Sequence, residues 1–266
     1  MLKKLSTEAK SYDYVRRAAL WLVLGAVIGG AYYRSFVERC PGGGRGELVI
    51  YVLTNHHFIL LFMAVLVLAF TSARAGEVSR YSVLLRYRTR GEVLAARVGA
   101  RAVFAVFMVL TQVMILGVAG GGLPSRGSVY PQAENVSYII VCQCLNIICY
   151  LIFLLFLREI FQKLFRNTAL EILFTLLISF ATRMAVLEYN TPLVLISPWG
   201  NIAYTLAYNL PDFQTVNELN TIVEIERAGY QFYWQYWLIM LAVALVLAVW
   251  LERNRDYVFE QHRRSG

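Results

Sequence analysis

The residues able to do chemistry are few in kind: fourteen glutamates stand beside only three aspartates, three histidines and four lysines. Asp13, Asp212 and Asp256 all lie outside the apolar runs, so an aspartyl dyad or an aspartate-bound magnesium site within a membrane lacks its residues. None of Lys3, Lys4, Lys10 and Lys163 follows a glycine, so the G-x-x-x-x-G-K-[ST] loop that cradles nucleotide phosphates is missing. His56 and His57 are adjacent and would point about 100° apart on a helix, which suits interfacial polar residues better than a bidentate metal site. With His262 far away, an H-E-x-x-H zinc helix is excluded, and no G-x-S-x-G elbow occurs. Cys40, Cys142, Cys144 and Cys149 show no metal-ligand spacing and read as small buried hydrophobes. The chain is therefore expected to be no enzyme, to hold no metal and to carry no cofactor of its own.

Two ionisable residues lie within one apolar run, Glu171 and Arg183. Their separation of twelve residues, about 18 Å along a helix, forbids a mutual salt bridge. Glu171 stands near the end of the run, within reach of water or Arg166. Arg183 either snorkels to the nearer interface or faces a central path, where it would attract an anionic or polar group. Both are candidates for a translocation path.

Most of the positive charge lies elsewhere. Between Ser72 and Arg101 seven arginines (Arg74, Arg80, Arg86, Arg88, Arg90, Arg97, Arg101) face two glutamates, Glu77 and Glu92. Within this stretch Val78, Tyr81, Leu84 and Leu85 recur at near-helical spacing with arginines opposite, the pattern of a short amphipathic helix on a membrane face or in a partner's groove. The arginines separate apolar runs instead of covering one soluble face, which argues for a membrane and against nucleic acid.

The elements that position these residues follow from hydropathy. With 58% hydrophobic residues among 266, the chain is too apolar for an ordinary soluble domain. Apolar runs at 19–36, 51–70, 102–120, 138–157, 169–187 and 232–251 approach the ~20 residues needed to cross a bilayer. Gly25, Gly29 and Gly30 in the first run would permit close helix contact. A signal peptide is the competing reading of the charged start, but Ala26 to Tyr33 ends in tyrosines without a small-residue cleavage site. Leu193 to Tyr208 is also apolar, yet Pro198 and Gly200 break it, and a seventh crossing would carry the C-terminal arginines outside. It reads as a re-entrant or interfacial pair whose irregular backbone must be shielded by protein. Pro198, Trp199, Gly200 and Tyr204 are outer-gate candidates. Six crossings put 19 Lys and Arg inside and 5 outside, so both termini are expected in the cytoplasm. The fold class expected is all-α: a single polytopic domain over 1–266, with a cytoplasmic loop at 72–101 and an outer segment at 190–211.

This arrangement, with Glu77-Val-Ser-Arg80-Tyr81-Ser-Val-Leu-Leu-Arg86-Tyr87-Arg-Thr-Arg90-Gly91-Glu92 leading into the third run, resembles the permease of ABC transporters of the type-2, exporter-like family. It is similar in particular to small bacterial permeases of peptide-antibiotic export or immunity systems. The resemblance implies that Leu5 to Arg16 forms an interfacial elbow. It also implies that Glu77, Arg80, Tyr81, Leu84, Leu85, Arg86, Tyr87, Arg90 and Glu92 form a coupling region. It further implies two copies of a separate ATPase subunit carrying ATP and magnesium, a second permease copy or homologous permease, and a place in the plasma membrane. A scaffold or sensor subunit that transports nothing is the competing reading.

Overall fold

In a lipid solvent an apolar run must satisfy its own backbone hydrogen bonds, and a helix does so within one segment. The computed structural model describes residues 14–55, 58–71, 90–125, 136–165, 167–188 and 234–253, among which the chain is all-helical. The long helices are α1 (Tyr14–Arg39), α4 (Arg90–Ala119), α5 (Val136–Leu164), α6 (Thr168–Glu188) and α7 (Trp234–Arg253), with shorter α2 (Arg45–Thr54) and α3 (Val65–Phe70) following α1. Four stretches, Arg16–Arg39, Leu94–Gly122, Val136–Gln162 and Trp234–Glu252, are long and apolar enough to cross a membrane. Residues 5–13 of the expected elbow, the segment 190–211 and the chain beyond Arg253 lie outside the described residues, while Tyr14 to Arg16 belong to α1.

The second apolar run is not one helix. It breaks at Asn55, whose extended backbone (φ −71°, ψ 114°) ends α2. The Asn55 carboxamide oxygen then accepts from the Phe58 N–H at 3.1 Å, starting the π-helical turn Phe58–Ala64 that leads into α3. The Tyr32 hydroxyl, from α1, donates to the same oxygen at 3.3 Å. One side chain therefore closes one helix and opens the next, as short polar side chains do at helix ends. Further along, Asn167 opens α6 in the same way, its carboxamide oxygen accepting from the Ala169 N–H at 2.8 Å.

Contacts fix the direction of each element. Arg17 at the start of α1 donates to the Phe70 carbonyl at the end of α3. Arg101 near the start of α4 meets Glu159 near the end of α5, and Arg158 meets Glu171 at the start of α6. Arg97 reaches Glu252 at the end of α7. Six element ends thus gather at one end of the bundle. At the other end Arg45, at the start of α2, donates to the Gly120 and Gly121 carbonyls just past α4, at 3.3 and 3.2 Å. Gly42 in the loop before α2 has φ 86°, a left-handed turn that glycine adopts without strain.

α1 packs on α4 through Gly25 and Gly29. A Cβ at Gly25 would lie 2.8 Å from the Gln112 Oε1, and one at Gly29 would lie 3.1 Å from Ile115 Cγ2. Gly30 faces open space. Of the three glycines that permit close contact, two use it, at the spacing that lets helix backbones approach. Beside them the Trp21 indole donates to Thr111 Oγ1 at 2.8 Å.

An apolar core is accompanied by buried polar side chains and by many large apolar ones that face outward. Along α6, Glu171, Thr175 and Ser179 are buried while Leu173 and Leu177 are 56% and 55% exposed. The same holds on α5, where Gln143, Asn146 and Arg158 are buried and Val141 and Leu145 face outward. On α2, Leu48, Val49, Ile50, Val52 and Leu53 are all buried, so its neighbours enclose it. Outward-facing apolar surface this extensive is stable where the solvent is itself apolar, which is compatible with a membrane protein.

Candidate functional site: a charge-balanced cluster at one end of the bundle

Arg97 and Arg101 are one turn apart on α4 and so share a face. Both turn inward to Glu159 on α5, Arg97 at 3.2 Å. Arg97 also binds Glu252 on α7 at 3.2 Å. Glu159 and its neighbour Arg158 leave α5 about 100° apart, so Arg158 reaches a different side. There it stands 3.7 Å from Glu171 on α6 and donates to the Leu68 carbonyl and Thr71 Oγ1, at 3.2 and 3.3 Å. All six charged groups are buried.

Among the described residues three arginines oppose three glutamates, so the described cluster is charge-balanced. Neutrality decides what it can do. A site that attracts an ion needs an excess of the other sign, whereas a balanced, buried network ties elements together at a desolvation cost that close pairing offsets. Here it ties α4 to α5 and α7, and α5 to α3 and α6. α5 is the hub, because its two adjacent charges point to different partners.

Of the residues singled out from sequence, Glu171 is in this cluster, paired with Arg158 instead of reaching water. Arg90 is the first residue of α4, and Glu92 lies in its first turn, partly buried. Arg183 lies in α6, one turn beyond Ser179, with its side chain outside the described residues. Glu77, Arg80, Tyr81, Leu84, Leu85, Arg86 and Tyr87 lie outside them as well, as do Pro198, Trp199, Gly200 and Tyr204. The sequence pattern places Arg97 and Arg101 in the basic stretch between apolar runs, not inside a helix bundle. Glu159 and Glu252 were passed over. The available signal was charges of opposite sign at the ends of separate apolar runs.

Outside the apolar helices, burial and the Glu47 carboxylate raise the Cys40 thiol above its ordinary pKa, against the opposing pull of Arg39. Glu47 itself accepts from the Gly44 N–H at 2.7 Å at the start of α2. Among the described residues no group of three or more His, Cys, Asp or Glu is arranged to hold a metal ion. Compared with known proteins, the chain matches no family model, no curated protein and no solved structure.

Proposed function

We propose that this chain is the membrane-spanning permease subunit of an ATP-driven transporter, an exporter of an amphipathic substrate, with ATP hydrolysis in a separate subunit. It crosses the membrane six times, α2 and α3 together making the second crossing and α6 the fifth. Both termini and the cluster end of the bundle face the cytoplasm.

The observation that carries this reading is the position of the cluster relative to the basic stretch. Arg158 holds Thr71, the last described residue before the basic stretch, and α4 begins at Arg90, two turns before Arg97. In sequence, Val78 to Glu92 spans the approach to α4, a basic segment in which Tyr81, Leu84 and Leu85 recur at helical spacing. A partner that moves this segment pulls on α4, and through Arg97 and Arg101 on α5 and α7. A membrane bundle without a nucleotide loop, but with such a handle, suits a motor supplied by another chain.

The test is co-purification. Tagged chain extracted in mild detergent is expected to retain an ATPase subunit bearing a phosphate-binding loop. Tyr81→Asp with Leu85→Asp is expected to release it while the chain remains in the membrane. Unchanged association in the double variant would remove the coupling role, and a complex holding no ATPase would favour the scaffold or sensor reading.

A further inference from the structure

The Asn55 carboxamide is only half used. Its oxygen accepts from the Phe58 N–H and from the Tyr32 hydroxyl. The Phe58 N–H can only donate, so it fixes which way the amide is turned and leaves Nδ2 pointing elsewhere. Among the described residues no partner receives the Nδ2 protons. A serine or an aspartate would close and open the two helices as well without two spare donors.

Three hydroxyls surround this amide. Tyr32 and Ser35 lie within one turn on α1, and Tyr51 and Asn55 are one turn apart along α2. The Ser35 and Tyr51 hydroxyls share a hydrogen bond at 3.3 Å, and the Tyr32 and Tyr51 hydroxyls are neighbours. The four side chains therefore form one polar patch between two helices, and all four residues are partly exposed. The Tyr32 and Tyr51 rings back onto buried Phe58 and Phe36, with centroids 5.6 and 5.4 Å apart.

Depth gives the patch its meaning. Asn55 lies ten residues from Arg45, about 15 Å of helix and half of a ~30 Å hydrocarbon layer. Irregular backbone at that depth is tolerated where protein covers it or where it lines a water-filled space. The subunit leaves the break partly uncovered, and a spare donor turned to lipid tails would be costly. Helix pairing accounts for the amide oxygen, which ties α1 to α2, and leaves the donor unexplained.

We propose that the patch at the Asn55 break is a binding site for an amphipathic molecule. Asn55 Nδ2 donates to a carbonyl-type oxygen on that molecule, and the Tyr32 and Tyr51 rings lie against its apolar body. The inference deepens the permease reading, on which it rests for the molecule's role as exported substrate; the binding itself needs no ATPase. A patch at the subunit surface is compatible with a path between two permease copies.

The test uses the full chain as purified, in lipid vesicles, and benzophenone, an uncharged aromatic ketone that inserts into neighbouring C–H bonds on illumination. Mass spectrometry maps the labelled residues. Labelling is expected on peptides carrying Tyr32, Ser35 and Tyr51, about fivefold or more above outward-facing Leu173 and Leu177 on α6. N,N-diethylbenzamide, which has an acceptor and no donor, is expected to suppress this labelling about fivefold or more. Hexylbenzene, similar in size and lacking an acceptor, is expected to leave it unchanged at the same concentration in the lipid. Asn55→Leu is expected to cause a loss like that caused by the amide; should the variant fail to assemble, the competition on the native chain decides. Labelling no greater than at Leu177, or equal suppression by the hydrocarbon, would overturn the site. An assembled Asn55→Leu that labels normally would overturn Asn55 as the donor. ATPase content of the same vesicles is read separately: its absence overturns the permease reading while a labelled patch upholds the site, and its presence with an unlabelled patch overturns the site alone.

Discussion

Arg158 and Glu159 are neighbours in sequence whose charges go to different partners: Arg158 to Glu171 on α6 at 3.7 Å, Glu159 to Arg97 on α4 at 3.2 Å. This divergence makes α5 the element through which α4, α6 and α7 communicate. Glu159 itself serves two arginines, Arg97 and Arg101. Glu159→Gln is therefore expected to destabilise the protein by about 3–5 kcal/mol, the cost of stranding a buried charge. Reversible unfolding in detergent or mixed micelles checks this, and an unchanged stability would show that the pairing adds nothing.

The Arg158–Glu171 pair is open to a double-mutant cycle. Arg158→Met and Glu171→Met are each expected to be costly. The double variant should recover about 0.5–3 kcal/mol relative to their sum, the range for residues in one network. Strict additivity would mean that the 3.7 Å approach carries no coupling.

Close contact of α1 with α4 depends on two glycines. Gly25→Ala and Gly29→Ala are expected to cost about 1–3 kcal/mol through overpacking against Gln112 and Ile115, and Gly30→Ala to be neutral within about 0.5 kcal/mol. Thermal midpoints of the three variants, measured in one detergent, test the ranking. A Gly30→Ala as damaging as Gly25→Ala would place α1 in a different rotation.

Cys40 offers a pH-dependent readout outside the apolar helices. Its thiol pKa is raised by burial and by Glu47, so at a pH near the ordinary thiol value it holds less thiolate than a free cysteine and reacts more slowly. Its rate should climb as the pH is raised beyond that value. Glu47→Gln removes the carboxylate charge while keeping an acceptor for the Gly44 N–H, and is expected to lower the pKa and speed labelling at fixed pH. Impermeant maleimide added outside intact cells is the reagent. A rate indifferent to Glu47→Gln would leave burial as the sole cause, and no labelling from outside would contradict the proposed orientation.

Much of the helical layout was legible because lipid leaves an apolar run little choice of backbone. The run at 138–157 lies within α5, that at 169–187 within α6, and 232–251 overlaps α7 closely. What hydropathy misread was charge. α4 begins at Arg90, twelve residues ahead of the expected boundary at Ala102, because Arg97 and Arg101 are neutralised by glutamates far along the chain. Arg97 and Glu252 are 155 residues apart in sequence, and nothing local announces such a pair. The interruption at Asn55 was equally hidden, since it depends on one carboxamide bonding to Phe58 and Tyr32.

ATP turnover by the purified complex in lipid vesicles tests most directly whether this bundle is driven by a separate ATPase through the basic segment. Turnover is expected with the native chain and is expected to fall by about tenfold or more with Tyr81→Asp and Leu85→Asp, the loss that a broken coupling contact would produce. A chain that purifies from the membrane with no ATPase, or a double variant with undiminished turnover, would contradict it.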